Sequence, residues 1–221
     1  IAGSLYAVAF GSFFAHLLRT SGVIGEDTGI PIDKILAAIA IIIFTFVNVR
    51  GSSDTGKVGN AITFTQLAII GILIVAAIGA MMFANPNWSD NYTDFLPSGV
   101  AGLALAMGLT FIAFEGYEII SQAGDEIRNP KKNIPRAILI SLGIVVSVYI
   151  LFTFVFIGGL NESVIGMPAW EFIGGFGELG IIQAADQFLP FGALIVLAGG
   201  LVSTLSALNA TTFAASRVSF A

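Results

Sequence analysis

At 221 residues the chain has the length of one or two soluble domains, but its composition excludes a soluble reading. Hydrophobic residues make up 56% and charged residues 10%, against about 25% charged in ordinary globular domains, and the mean hydropathy is +0.93. There is no cysteine, one histidine (His16) and a net charge of −5. These exclude disulfides, thiol nucleophiles and cysteine- or histidine-rich metal sites, and give no basic surface for nucleic acid.

A membrane-crossing helix needs about 20 mostly apolar residues. Six stretches approach or meet that length, at about 1–18, 33–49, 61–84, 99–123, 137–160 and 187–216. The first starts inside an apolar run without a methionine, so the chain reads as an internal stretch of a longer protein. The second is the shortest and needs Asp33 and Lys34 at the interface. The third and fifth carry no charge, the fourth carries two glutamates, and Pro190 is expected to mark the first turn of the sixth. The runs do not alternate as strands of a barrel would, so all six are expected to be helices. The expected fold class is an all-α integral membrane bundle of six transmembrane helices in one unit.

The intervening loops differ in charge. Loops 50–60 and 124–136, with the C-terminal end, hold seven lysines and arginines, whereas loops 19–34, 85–98 and 161–186 hold two. Basic residues favour the cytoplasm, which places the former group inside and the latter outside. Loop 161–186 is 26 residues long, too long for a plain turn. One or two short helices are expected there, lying over the extracellular mouth. The Asn129–Pro130 and Ile134–Pro135 junctions are expected to favour extended backbone before each proline.

The fourth stretch carries the strongest chemical signal. Glu115 and Glu118 flank Gly116 inside an apolar run. A carboxylate at mid-bilayer costs about 2.5–3.5 kcal/mol on insertion scales, so such groups face a cavity or a partner. A helix break at Gly116 would expose backbone carbonyls and amides of opposite polarity to a substrate's amine and carboxylate. An unbroken helix with Glu118 bonded to neighbouring hydroxyls is the alternative. On that basis the helix is expected to be interrupted between about Phe111 and Gly116.

The run FIAFEGYEIISQAGDEIRNPKKNIPRAI resembles the sixth helix and following loop of the amino acid–polyamine–organocation permeases. The shared features are Phe114, Gly116 and Glu118, then Asp125 and Glu126, then Arg128, Asn129, Pro130 and Pro135. NVRGSSDTGKVGNAITFTQLAIIG resembles the family's loop into its fifth helix, and LVSTLSALNATTFAASRVSFA its eighth helix. The resemblance covers helices three to eight of about twelve. It implies a LeuT-like inverted-repeat fold and a plasma-membrane, multi-pass permease that moves amino acids or related amines by alternating access, without a cofactor. It also implies that backbone around Ile112 and Glu115 receives the substrate amine, that Phe111 and Phe114 line or gate the pocket beside Gly116, and that Glu118 is a gate or proton-coupled carboxylate.

One departure concerns coupling. Proton-coupled relatives carry a lysine early in the fifth helix, and the matching position here is Gln66, which cannot carry a charge. Ser203, Thr204 and Ser206 offer hydroxyls where sodium-coupled relatives of the fold bind the ion. Ser203 also belongs to a small-residue stripe with Ala207, Ala210 and Ala214 that suits close helix packing. The coupling ion, proton or sodium, stays open. The partners expected are an amino acid, membrane lipid and the remaining helices of the full-length chain, with no nucleic acid. Alternative functions are an amino-acid sensor or a passive channel. A membrane enzyme lacks the nucleophile and metal ligands it would need.

Overall fold

The computed structural model describes residues 2–25, 30–50, 55–114, 116 and 127–220, with the side chains of 47–50, 55–61, 112–113, 213–214 and 216–220 left out of that description. The longer helices are α1 (Ala2–Thr20), α2 (Ile32–Arg50), α3 (Thr55–Phe83), α4 (Gly99–Ala113) and α5 (Pro130–Gly159). Three short helices follow, α6 (Glu162–Ile165), α7 (Ala169–Gly175) and α8 (Gly180–Phe188), and then α9 (Gly192–Phe220). A 3-10 turn at Trp88–Tyr92 lies between α3 and α4, and another at Gly177–Leu179 precedes α8. There is no strand among the described residues. Three helices there, within Ile62–Phe83, Pro130–Gly159 and Gly192–Thr212, are long and apolar enough to cross a bilayer. The fold is all-α and membrane-embedded.

Three helix starts differ from expectation. α3 begins at Thr55 rather than at about 61, and α5 and α9 differ for local reasons. α5 begins at Pro130, seven residues before the expected position, with Asn129 as its cap in the left-handed region (φ 52°) rather than extended. Proline's fixed φ suits the first helical position and its missing N–H costs nothing there. Asn133 Nδ2 donates to the Arg128 carbonyl at 2.6 Å, fastening the entry. Ile134–Pro135 is likewise helical rather than extended. Conversely, Pro190 lies in the turn before α9 instead of its first turn.

Packing forms two cores joined by α9. In one, Leu73 and Ala77 of α3 meet Val155 and Phe156 of α5 and Ala184 and Ala185 of α8. In the other, Ala7 of α1, Ala37 and Ala40 of α2 and Leu208 of α9 come together. Small residues set the spacing. A Cβ at Gly159 would stand 3.1 Å from the Ala77 carbonyl oxygen, and one at Gly11 would collide with the Asp33 carbonyl. Close backbone approach replaces hydrophobic drive where the surroundings are as apolar as the side chains. The Gly11 contact sets the start of α2 beside the middle of α1, not beside its end.

The connection between α5 and α9 is part of this core. Ile182, Ala184 and Ala185 of α8 are all buried. The last part of that loop, α8, is buried against α3, α5 and α9, whereas most of α6 and α7 stays exposed.

Candidate functional site

The expected interruption is present. α4 ends at Ala113, Phe114 closes it through an N–H bond of 3.2 Å to the Phe111 carbonyl, and Gly116 adopts φ 117°. Side chains with a Cβ rarely enter that region, which explains glycine at this position. The second half of the expected span, including Glu115 and Glu118, lies outside the described residues. Ile112 is in the last turn of α4, and its side chain is also outside them.

The other candidates separate into three places. Phe114 is half-buried and meets the Tyr149 ring of α5 edge-on, with centroids 5.6 Å apart. Phe111, one turn earlier, is 74% exposed and does not line the cavity that Phe114 lines. Gln66, Ser203, Thr204 and Ser206 lie away from the break, on α3 and α9. Gly199 packs against Ile69, where a Cβ would stand 3.1 Å from two of its side-chain carbons. Val196 joins the cluster around Leu73 and Ala77, so α3 and α9 run antiparallel. Gln66 precedes Ile69 by one turn and Ser203 follows Gly199 by one turn, which brings both to one level. Thr204 is buried, and its hydroxyl donates to the Gly200 and Leu201 carbonyls at 2.8 and 3.1 Å. Its proton is thus committed to its own helix and only lone pairs remain for an ion.

Above the break, a cavity of about 670 Å³ separates α4 from α5. Thr110 and Phe114 line one side, Tyr149 and Thr153 the other, and Tyr92 and Trp170 its upper part. The volume is that of a small-molecule site.

The wall formed by α5 is held by buried amides. The final carbonyls of a helix have no partner within it. Asn85 Nδ2 donates to the Gly158 and Leu160 carbonyls at 2.9 Å each. Asn91 Nδ2 donates to those of Ile157 and Leu160 at 2.6 and 2.8 Å. Asn161 Nδ2 returns a bond of 2.9 Å to the Ala84 carbonyl. Tyr92 donates to the Phe154 carbonyl and stacks on the Phe154 ring. Burial raises the Tyr92 phenol above its usual range, so it stays a neutral donor at physiological pH. These asparagines are not singled out by the sequence. Asn85 and Asn91 fall within ANPNWSDNY, which reads equally as a loop.

The family description "Amino acid permease" matches residues 1–221, the whole chain. The chain belongs to that family. With its three long apolar helices, this permease chain is a multi-pass integral membrane protein. It is 32% identical to an uncharacterized protein of Methanocaldococcus jannaschii, over 98% of this chain and 46% of that one. Against the methylthioribose transporter of Bacillus subtilis it is 29% identical, over 98% and 47%. Against human cationic amino acid transporter 4 it is 34% identical, over 40% and 14%. The permease chain spans less than half the length of these relatives.

Proposed function

We infer that the full-length protein is a secondary transporter of the cell membrane, carrying amino acids or related amines by alternating access and catalysing no reaction. The observation that supports this best is the interruption of apolar α4 at Phe114–Gly116. Irregular backbone at membrane depth is tolerated where it is buried in protein or lines a cavity, and this one adjoins a cavity. The C-terminal end of α4 carries the partial negative charge of its free carbonyls, which suits a substrate amine. Backbone near Ile112 and Glu115 takes the amine, with Phe114 as the pocket's aromatic wall and Phe111 toward helices outside this chain.

In the LeuT-like arrangement that the family resemblance implies, this chain supplies helices three to eight, with loops 50–60 and 124–136 in the cytoplasm. Glu118 is the proton carrier if the coupling ion is a proton, as a carboxylate inside the fourth apolar stretch two residues after Gly116. Gln66, Ser203, Thr204 and Ser206 surround the ion if it is sodium. The test is uptake by the full-length protein in liposomes, using radiolabelled amino acids and methylthioribose under a proton or a sodium gradient. Accumulation of at least one amino acid under one gradient is expected. Binding without accumulation under either gradient would identify a sensor instead.

A further inference from the structure

α5 opens on a cluster of cations that its own electrostatics opposes. Arg128, Lys131, Lys132 and Arg136 gather at its start, and all four are exposed. The first turn holds no acidic residue, although the partial positive charge at the start of a helix disfavours cations there. None of the four has an ion pair with a described residue. The connection before α5 adds Asp125 and Glu126, two acids against four cations. The cluster therefore keeps a net positive charge that this segment does not offset. Its backbone is fixed, with Asn133 bonded to the Arg128 carbonyl and prolines at 130 and 135.

The depth of the cluster follows from the helix. The stretch 137–159 carries no charge. At 1.5 Å per residue it is about 33 Å long, which matches a hydrocarbon core of about 30 Å. The turns from Pro130 to Arg136 thus stand at headgroup level, on whichever side of the membrane α5 begins. Lys132, Arg136, Leu139 and Gly143 follow one another at helical spacing on one side of α5. Leu139 is 71% exposed, and a Cβ at Gly143 would meet nothing within 4 Å. An open apolar strip with a shallow gap therefore leads directly to the cations.

We propose that the start of α5 binds an anionic phospholipid. Lys132 and Arg136 take the phosphate, Arg128 and Lys131 add to the field around it, and one acyl chain lies along Leu139 and Gly143. A zwitterionic lipid offers the same chains but brings its own ammonium, so charge complementarity selects the anionic one. An acidic protein segment would match the cations but not the apolar strip. The site rests on α5 crossing the bilayer and does not depend on transport.

Native mass spectrometry of the full-length protein tests this, with phosphatidylglycerol and phosphatidylcholine of identical chains as the probes. The unmodified protein should retain phosphatidylglycerol at clearly lower concentration than phosphatidylcholine. A lysine or arginine beside anionic lipid is worth roughly a fivefold change in binding. Lys132→Gln combined with Arg136→Gln should thus weaken phosphatidylglycerol binding by about tenfold or more. Phosphatidylcholine binding should stay unchanged, which also shows that the fold persists. Lys34→Gln, at an exposed cation near the start of α2, should alter neither. Glycerol 3-phosphate, which has the phosphate without the chains, should not displace phosphatidylglycerol at equal concentration. Equal retention of the two lipids would overturn the proposal, as would phosphatidylglycerol binding unmoved by the double substitution. An equal loss with Lys34→Gln would show a response to net charge alone and also overturn it. Displacement by glycerol 3-phosphate would do the same by making this a site for soluble phosphate compounds.

Discussion

α4 and the outer half of α5 are both apolar helices beside one cavity, yet they are held in opposite ways. α5 ends in carbonyls bonded by Asn85 and Asn91, which are 2% and 9% exposed, and its Gly158 and Gly159 press against α3. α4 is exposed along almost its whole length, with Leu105 at 68% and Met107 at 67%, and it ends in a break rather than a cap. A helix whose end is fixed by buried polar bonds cannot shift without leaving carbonyls unsatisfied, at about 1–3 kcal/mol each. A helix with few internal contacts can shift at little cost. Within this chain α3 and the outer half of α5 are bound to each other, whereas α4 has few such contacts.

The largest effect is expected at Glu118, two residues beyond Gly116 in the sequence. Glu118→Gln in the full-length transporter is predicted to abolish proton-driven accumulation while leaving substrate binding measurable. Normal accumulation under a proton gradient would make Glu118 structural and remove it from coupling.

Gly116→Ala comes next. At φ 117° a Cβ adds strain of about 1–3 kcal/mol, and the break must distort or close. Uptake should fall by about tenfold or more, in line with that strain, while the folded protein persists through its other contacts. Unchanged uptake kinetics would show that the conformation of Gly116 does not matter to the site.

Asn85→Ala tests the frame. Two bonds are lost and the Gly158 carbonyl is left buried without this donor, so stability should fall by about 2–4 kcal/mol. Chemical denaturation in detergent measures this. A loss no larger than that of an exposed substitution on α4 would break the contrast between the two helices.

The smallest effect is expected from Tyr92→Phe. It removes one hydrogen bond to Phe154, about 1 kcal/mol, and keeps the ring stack that shapes the cavity wall. If stability falls as far as it does for Asn85→Ala, the hydroxyl rather than the amides secures α5.

Local pattern made much of this legible. Apolar runs longer than about 18 residues mark membrane helices whatever their neighbours do, and α3, α5 and α9 lie where such runs lie. Gly116 between two carboxylates signalled the interruption of α4 because both the backbone freedom of glycine and the cost of buried charge are properties of single positions. The order of aromatic, acidic, basic and proline residues after it pointed to the family. What only the tertiary structure decided depends on partners far along the chain. Asn85 and Gly158 are 73 residues apart, so no periodicity could reveal that a loop-like asparagine caps a distant helix. The same holds for α8, whose glycine-rich apolar sequence fits a surface loop or a core helix until Ala184 and Ala185 are seen against α3 and α5. It holds too for the cavity, whose walls come from four separate segments. Composition determined the solvent in which the chain folds, and the crossing of helices decided where a small molecule can enter it.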